Sequence, residues 1–288
     1  MSVPAAFDYH RANTVDEAIA LLKEYGDEAK VLAGGHSLIP AMKLRLSQPG
    51  HLIDIGRIAG LSYIREENGV IAIGALTNYT VLERSDLLKR YFPLIPEGTA
   101  LIGDQQVRNR GTIGGSLAHS DPASDMPGII LALKGELVTQ GPNGKRTIKA
   151  DDFFIGTFTT ALEPEEILTE IRLAIPAAHT GSAYEKLANK ASHYAIAGCA
   201  AVITRGDDGT CSAASLAITG AAMQTTRASA TEAALVGKKL DEAAVTEAAS
   251  HAAEGLEIVS DIHGSKEYRA QMCAVVAKRA ILRALERA

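Results

Sequence analysis

Residues 31–40, VLAGGHSLIP, set a glycine pair between an apolar run and a small polar residue, and residues 111–122, GTIGGSLAHSDP, repeat the arrangement. Glycine adopts positive φ readily and, lacking a Cβ, lets a ligand come close to main-chain N–H groups. Successive N–H groups turned into one concavity make an anion nest. In the first loop Ser37 stands where it would cap a short helical turn, whose free N–H groups and dipole favour a phosphate. The second loop adds the hydroxyls of Thr112 and Ser116. Neither loop has the G-x-G-x-x-G form that opens a helix after a strand, and no G-x-x-x-x-G-K-[ST] occurs. Two nests on two lobes fit a diphosphate held between them, as in a large dinucleotide.

Working outward, NTVDEAIALLKEYG (13–26) places Thr14 three residues before Glu17, then Val15, Ala18, Ile19 and Leu22 on one face, and stops at Gly26. That pattern predicts an amphipathic helix. AKVLAGG and HLIDIGRI read as buried strands beside it. From about residue 60 the stretch is mixed: GVIAIGALT a strand, TVLERSDLLKRY one helix, and GELVTQGPNGKRTIKA two strands about a Gly-Pro-Asn-Gly turn. Pro176 and Gly181 mark a boundary. Beyond it AIAGCAAVITRGDDGTCSAASLAITG predicts a hairpin about Gly206–Gly209, followed by helices at 229–236, 241–255 and 266–286. The fold class is α+β, in units 1–57, 58–177 and 178–288.

The chain has 288 residues, is 47% hydrophobic and carries a formal net charge of −5, enough apolar content for several packed lobes and no basic stripe for nucleic acid. No signal-like start and no apolar run of about 18 residues occurs, which places the protein in the cytoplasm as an expectation. Cys199, Cys211 and Cys273 are isolated, without the close pairing that ligates zinc or an iron–sulfur cluster. Any redox chemistry therefore needs a borrowed cofactor. After the second loop, DPASD sets Asp121 and Asp125 four residues apart, where a carboxylate accepts hydrogen bonds from sugar or ribityl hydroxyls. The same pattern is common at turns and helix starts. His36 and His119 sit in or beside the loops, with no nucleophile and orienter nearby to make either a general base.

AGGHSLIP, and GTIGGS followed by DPASD, resemble the two FAD loops of the flavoprotein (medium) subunits of molybdenum hydroxylases, such as aerobic carbon monoxide dehydrogenases and the FAD domain of xanthine dehydrogenases. FDYHRANTVDEAIALL, QVRNRGTIGG and AYEKLANKASHYAIAGCAAVI extend the resemblance over essentially the whole chain. It implies a two-lobed FAD-binding domain of the vanillyl-alcohol-oxidase type and a smaller C-terminal α+β domain, an antiparallel sheet with helices. By resemblance, Val31 to Leu38, centred on Ala33–Ser37, and Gly111, Thr112, Ile113, Gly114, Gly115 and Ser116 wrap FAD. Asp125 holds FAD hydroxyls, Lys186 lies near the cofactor, and Tyr194 stacks beside the isoalloxazine, with Ile113 helping to tune it. Ser116 stands where the family often has Asn, and Ser192 and His193 where carbon monoxide dehydrogenases usually have Gly-Asp.

The resemblance also implies a division of labour. A small subunit carries 2Fe-2S clusters, a large one the molybdopterin-type molybdenum cofactor, and this chain passes electrons through FAD to a quinone, NAD or oxygen, in a dimer of heterotrimers. Substrates from carbon monoxide to nicotine, quinoline and purines are compatible. Two other readings are a stand-alone FAD oxidase of the same fold and a cofactor-free scaffold.

Overall fold

A computed structural model describes residues 3–288. At the N-terminal end three strands form a parallel sheet in the order Asp8–Arg11, His51–Asp54, Ala29–Leu32. The helix Val15–Tyr25 covers it through Ala18, Ile19 and Leu22, which join Ile53, Ile55 and Ile58 in one core. Thr14 caps the helix by accepting the Glu17 N–H at 3.1 Å. Glu17 reaches back to the amide of Asn13 at 2.8 Å, a residue before the usual partner in a capping box. Gly26, at φ +52°, ends the helix.

The middle of the chain is an antiparallel five-stranded sheet in the order Ile64–Glu67, Val70–Gly74, Ile167–Ala174, Glu136–Gly141, Gly144–Lys149. Between residues 78 and 133 the chain leaves this sheet and folds into six short helices. The single helix expected over 80–91 is two, Tyr79–Arg84 and Asp86–Tyr91. Ser85 takes an extended conformation between them and its Oγ accepts the Leu88 N–H, so an N-cap interrupts what hydrophobic spacing alone reads as continuous.

The C-terminal sheet is antiparallel and sequential, Thr180–Ala188, Ala195–Arg205, Cys211–Thr219, Thr226–Arg227. One face carries Tyr184, Ala200 and Ala217 into the core of the middle lobe. The other carries Cys199, Ala201 and Leu216 against helices Ser229–Leu235, Glu242–Ser250 and Lys266–Leu285. Burial on both faces explains why AIAGCAAVI lacks a polar alternation. The second of these helices stops at Ser250, short of the expected 255, because the chain turns through 251–255 and reaches Gly255 at φ +73°. A Cβ on Gly181 would lie 1.9 Å from the Ala284 carbonyl oxygen, so the long helix rests directly on the sheet backbone there. All three cysteines are buried free thiols. No helix among the described residues is long and apolar enough to cross a membrane.

Candidate cofactor site

The strand Ala29–Leu32 delivers the first glycine pair to its edge. Val31 and Ala33 pack toward the N-terminal core, leaving Gly34 to Leu38 to turn the chain into the helix Leu38–Lys43. Gly35 takes φ +77°, the left-handed region that favours glycine. Among the described residues the amides of Gly34, Gly35, His36, Ser37 and Leu38 have no protein acceptor. Five consecutive free donors, one preceding residue pinned by a strand, are what an anion nest needs. His36 is exposed, its Nδ1 3.0 Å from the Gly34 carbonyl oxygen. Ser37 occupies the cap position without capping. Its hydroxyl instead lies against the Tyr194 phenol.

The second glycine pair works differently. Thr112 accepts the Gly115 N–H at 3.2 Å and caps the helix Ile113–His119. The amides of Ile113 and Gly114 donate to Thr77 and Ala75 carbonyls, and that of Ser116 to Thr112. These donors are spent, so GTIGG is not a second nest: a strand end and a capped helix absorb the N–H groups that the sequence pattern left open. The loop does begin a helix, contrary to the sequence reading. Ile113, expected to tune the cofactor, is fully buried in the middle core. Gly114 is glycine because a Cβ would meet the Ala75 carbonyl oxygen at 2.6 Å.

The two loops nonetheless form one structure. A Cβ on Gly34 would lie 2.2 Å from the Arg110 carbonyl oxygen and 2.9 Å from the Gly111 Cα, so the second loop is the wall behind the nest. Gly111 in turn accommodates the Tyr79 ring, 2.5 Å from where its Cβ would be. Burial pushes the Tyr79 phenol well above its ordinary value. The pairs thus serve different needs, one giving free amides and the other a surface that comes close enough to back them.

Behind this wall runs 121–125. Pro122 carbonyl accepts the Gly220 N–H at 2.7 Å and the Thr219 hydroxyl at 2.8 Å, and the Ser116 and Ser124 hydroxyls meet at 2.8 Å. The C-terminal sheet therefore holds the loop that follows the second glycine pair. Asp125 is 4% exposed, at the start of helix Asp125–Ala132. Its Oδ1 accepts the Tyr184 hydroxyl at 2.5 Å and its Oδ2 the Lys186 ammonium at 2.9 Å. Burial pushes the Asp125 carboxyl up from its usual range while Lys186 and Tyr184 pull it down. Tyr184 fits because Gly98 and Gly198 flank its ring and hydroxyl. Tyr194 lies at the tip of the hairpin between the first two C-terminal strands and is 41% exposed. Burial, the nearby Asp121 and Asp125 carboxylates raise its phenol, and Ser37 lowers it.

Comparison with known proteins decides the family. Residues 5–178 match the FAD binding domain in molybdopterin dehydrogenase, and 182–284 the CO dehydrogenase flavoprotein C-terminal domain. The chain belongs to this family of FAD-binding flavoproteins. It is 45% identical over 279 residues to the carbon monoxide dehydrogenase medium chain of Hydrogenophaga pseudoflava, covering 97% of each. It is 37% identical over 285 residues to the 6-hydroxypseudooxynicotine dehydrogenase complex subunit alpha of Paenarthrobacter nicotinovorans, covering 99% of this chain and 96% of the other. The solved structure of a carbon monoxide dehydrogenase from Hydrogenophaga pseudoflava, lacking the Mo-pyranopterin moiety of its molybdenum cofactor, superposes with a TM-score of 0.96 at 47% identity over 99% of both chains. This flavoprotein has the α+β fold implied by the sequence, and it is an FAD subunit of the molybdenum hydroxylase type, an oxidoreductase. The residues fit FAD: the free amides of 34–38 suit a diphosphate and the glycine wall leaves the loops room to close on it.

Sequence reasoning missed Arg110, Tyr79, Tyr184 and Thr219. Each acts through a main-chain atom or a buried contact, which leaves no pattern in composition or spacing. Asp125 and Lys186, by contrast, are both where the sequence reading pointed, but they face each other in the interior.

Proposed function

We propose that this chain is the electron outlet of a molybdenum-containing hydroxylase or dehydrogenase of carbon monoxide dehydrogenase type or of a related N-heterocycle hydroxylase. It receives electrons from 2Fe-2S clusters on a small partner, while a large partner carries the molybdopterin-type cofactor, in a cytoplasmic dimer of heterotrimers. The observation that carries the reading is the row of free amides at 34–38, closed from behind by Arg110 and Gly111, in a chain so similar to known medium chains. Bound FAD supplies reversible one- and two-electron chemistry and links the clusters to a quinone, NAD or oxygen. The protein's part is to bind and orient. The amides of Gly34 to Leu38 hold the diphosphate, Ala33 and the 111–116 segment shape the space beside it, and Tyr194 offers an aromatic face by Ser37. The three units 1–57, 58–177 and 178–288 divide this task into nest, wall and lid. Three separate buried thiols support placing the clusters on a partner.

The test is purification of the native complex through a tag on this chain. Flavin absorbance with iron–sulfur absorbance, molybdenum and two co-purifying chains supports the reading. A yellow chain that purifies alone and is reduced directly by a small alcohol overturns it in favour of a stand-alone oxidase.

A further inference from the structure

Lys186 is buried, its side chain 1% exposed, and its ammonium is fully committed. It donates to Asp125 Oδ2 at 2.9 Å, to the His193 carbonyl at 2.8 Å and to the Leu101 carbonyl at 3.0 Å. An ammonium has three donors and no acceptor, so none is left for a ligand. The three acceptors come from three places around the site. Asp125 opens the helix after the second loop. Leu101 ends the helix Leu94–Ala100 and leads toward Arg110 and Gly111 behind the nest. His193 is the residue before Tyr194.

The hairpin tip is wound tightly about this bond. The Asn189 amide donates to the Tyr194 carbonyl at 2.8 Å, and the Asn189 side chain accepts the amides of Ala191 and Ser192. His193 itself sits at φ +62°, a left-handed conformation that a side chain of its kind adopts at a cost. A charge-assisted bond to its carbonyl holds it there. Beyond it, Tyr194 reaches across to Ser37 in the nest.

We infer that Lys186 is a positioning residue: from the interior it fixes the hairpin tip, and through it the Tyr194 ring, in register with the two glycine loops. It acts on FAD through Tyr194 and not by contact. This rests on the FAD reading above, and it assigns Lys186 and Asp125 a role different from direct binding of the cofactor.

The test is a double-mutant cycle in the complex with its partners, with Lys186→Met, Tyr194→Ala and the pair, reading the FAD dissociation constant, the midpoint potential and the emission of bound flavin, which an aromatic ring in contact quenches. Lys186→Met is expected to weaken FAD about tenfold, the scale of one lost aromatic contact, and to shift potential and emission in the direction of Tyr194→Ala. The double variant should be no worse than Tyr194→Ala, within about twofold. Additive losses overturn the inference, as does a Lys186→Met protein that melts lower while its flavin properties stay those of the parent. If Lys186→Met fails to fold because it leaves Asp125 buried and unpaired, Asp125→Asn with Lys186→Met removes both charges and carries the same cycle. A parent complex that takes up no FAD overturns the proposed function as well, whereas normal parent loading with an unaffected Lys186→Met overturns only this role of the lysine.

Discussion

Gly34→Ala isolates the contact between the two loops. Gly34 is not among the residues of positive φ, so alanine meets no dihedral penalty there. Its Cβ would lie 2.2 Å from the Arg110 carbonyl oxygen and 2.9 Å from the carbonyl carbon, and real Cβ contacts do not fall below 3.0 Å. Backbone on both sides means the loops must part by roughly an ångström, a displacement on the scale that costs about 100-fold where positioning matters. Parting them moves the 34–38 amides off the diphosphate. Losing one charge-assisted bond of about 1.5–3 kcal/mol weakens FAD by roughly 10- to 100-fold, so about 100-fold is expected if more than one is stretched. FAD content per chain and titration of the flavin-free protein measure it. Gly69→Ala is the control: Gly69 has φ +80° and open space around it, so that variant loses about 1 kcal/mol to backbone strain and binds FAD normally. A Gly34→Ala protein with parental FAD content and affinity refutes the reasoning that loop contact shapes the site.

Other variants test other parts. Gly114→Ala puts a Cβ 2.5 Å from the Ala75 Cβ and 2.6 Å from its carbonyl oxygen; it should cost about 1–3 kcal/mol by overpacking, seen in urea unfolding of the flavin-free chain. Arg269, 3% exposed, donates to the carbonyls of Ile196 and Gly220 and to Asp261, so Arg269→Met is expected to destabilise by about 3–5 kcal/mol. For Glu166, burial pushes the carboxyl up, but bonds from Arg146, the Glu163 amide and Thr139 hold it below 4.5 overall. Its contribution is therefore present above the ordinary carboxylate range and lost as pH falls through the lowered value. Urea midpoints of the parent should drop between about pH 5 and pH 3 more steeply than those of Glu166→Gln, and equal slopes would contradict the ion pair.

Much of the fold is legible in the sequence because local rules agree there with the tertiary structure. Thr14 and Gly26 bound a helix whose apolar stripe faces a sheet, and the Gly206–Gly209 turn joins two strands whose buried runs have nowhere else to go. Ser85 shows the limit, since a single side-chain cap divides a helix that periodicity reads as whole. The site was legible as chemistry more than as geometry. Both glycine pairs, Asp125, Lys186 and Tyr194 stand out, yet only three-dimensional packing shows that one pair frees amides and the other excludes a Cβ. The spent amides of Gly114 and Gly115 depend on Ala75 and Thr112, and the buried ammonium of Lys186 on carbonyls far away in sequence. No short motif encodes such partners.

The most direct measurement is an experimental structure of the FAD-loaded complex, read at the diphosphate. The account predicts its oxygens within hydrogen-bond distance of the main-chain nitrogens of residues 34–38, with the Arg110–Gly111 peptide behind them. A diphosphate held elsewhere, with those five amides turned to solvent, would contradict it.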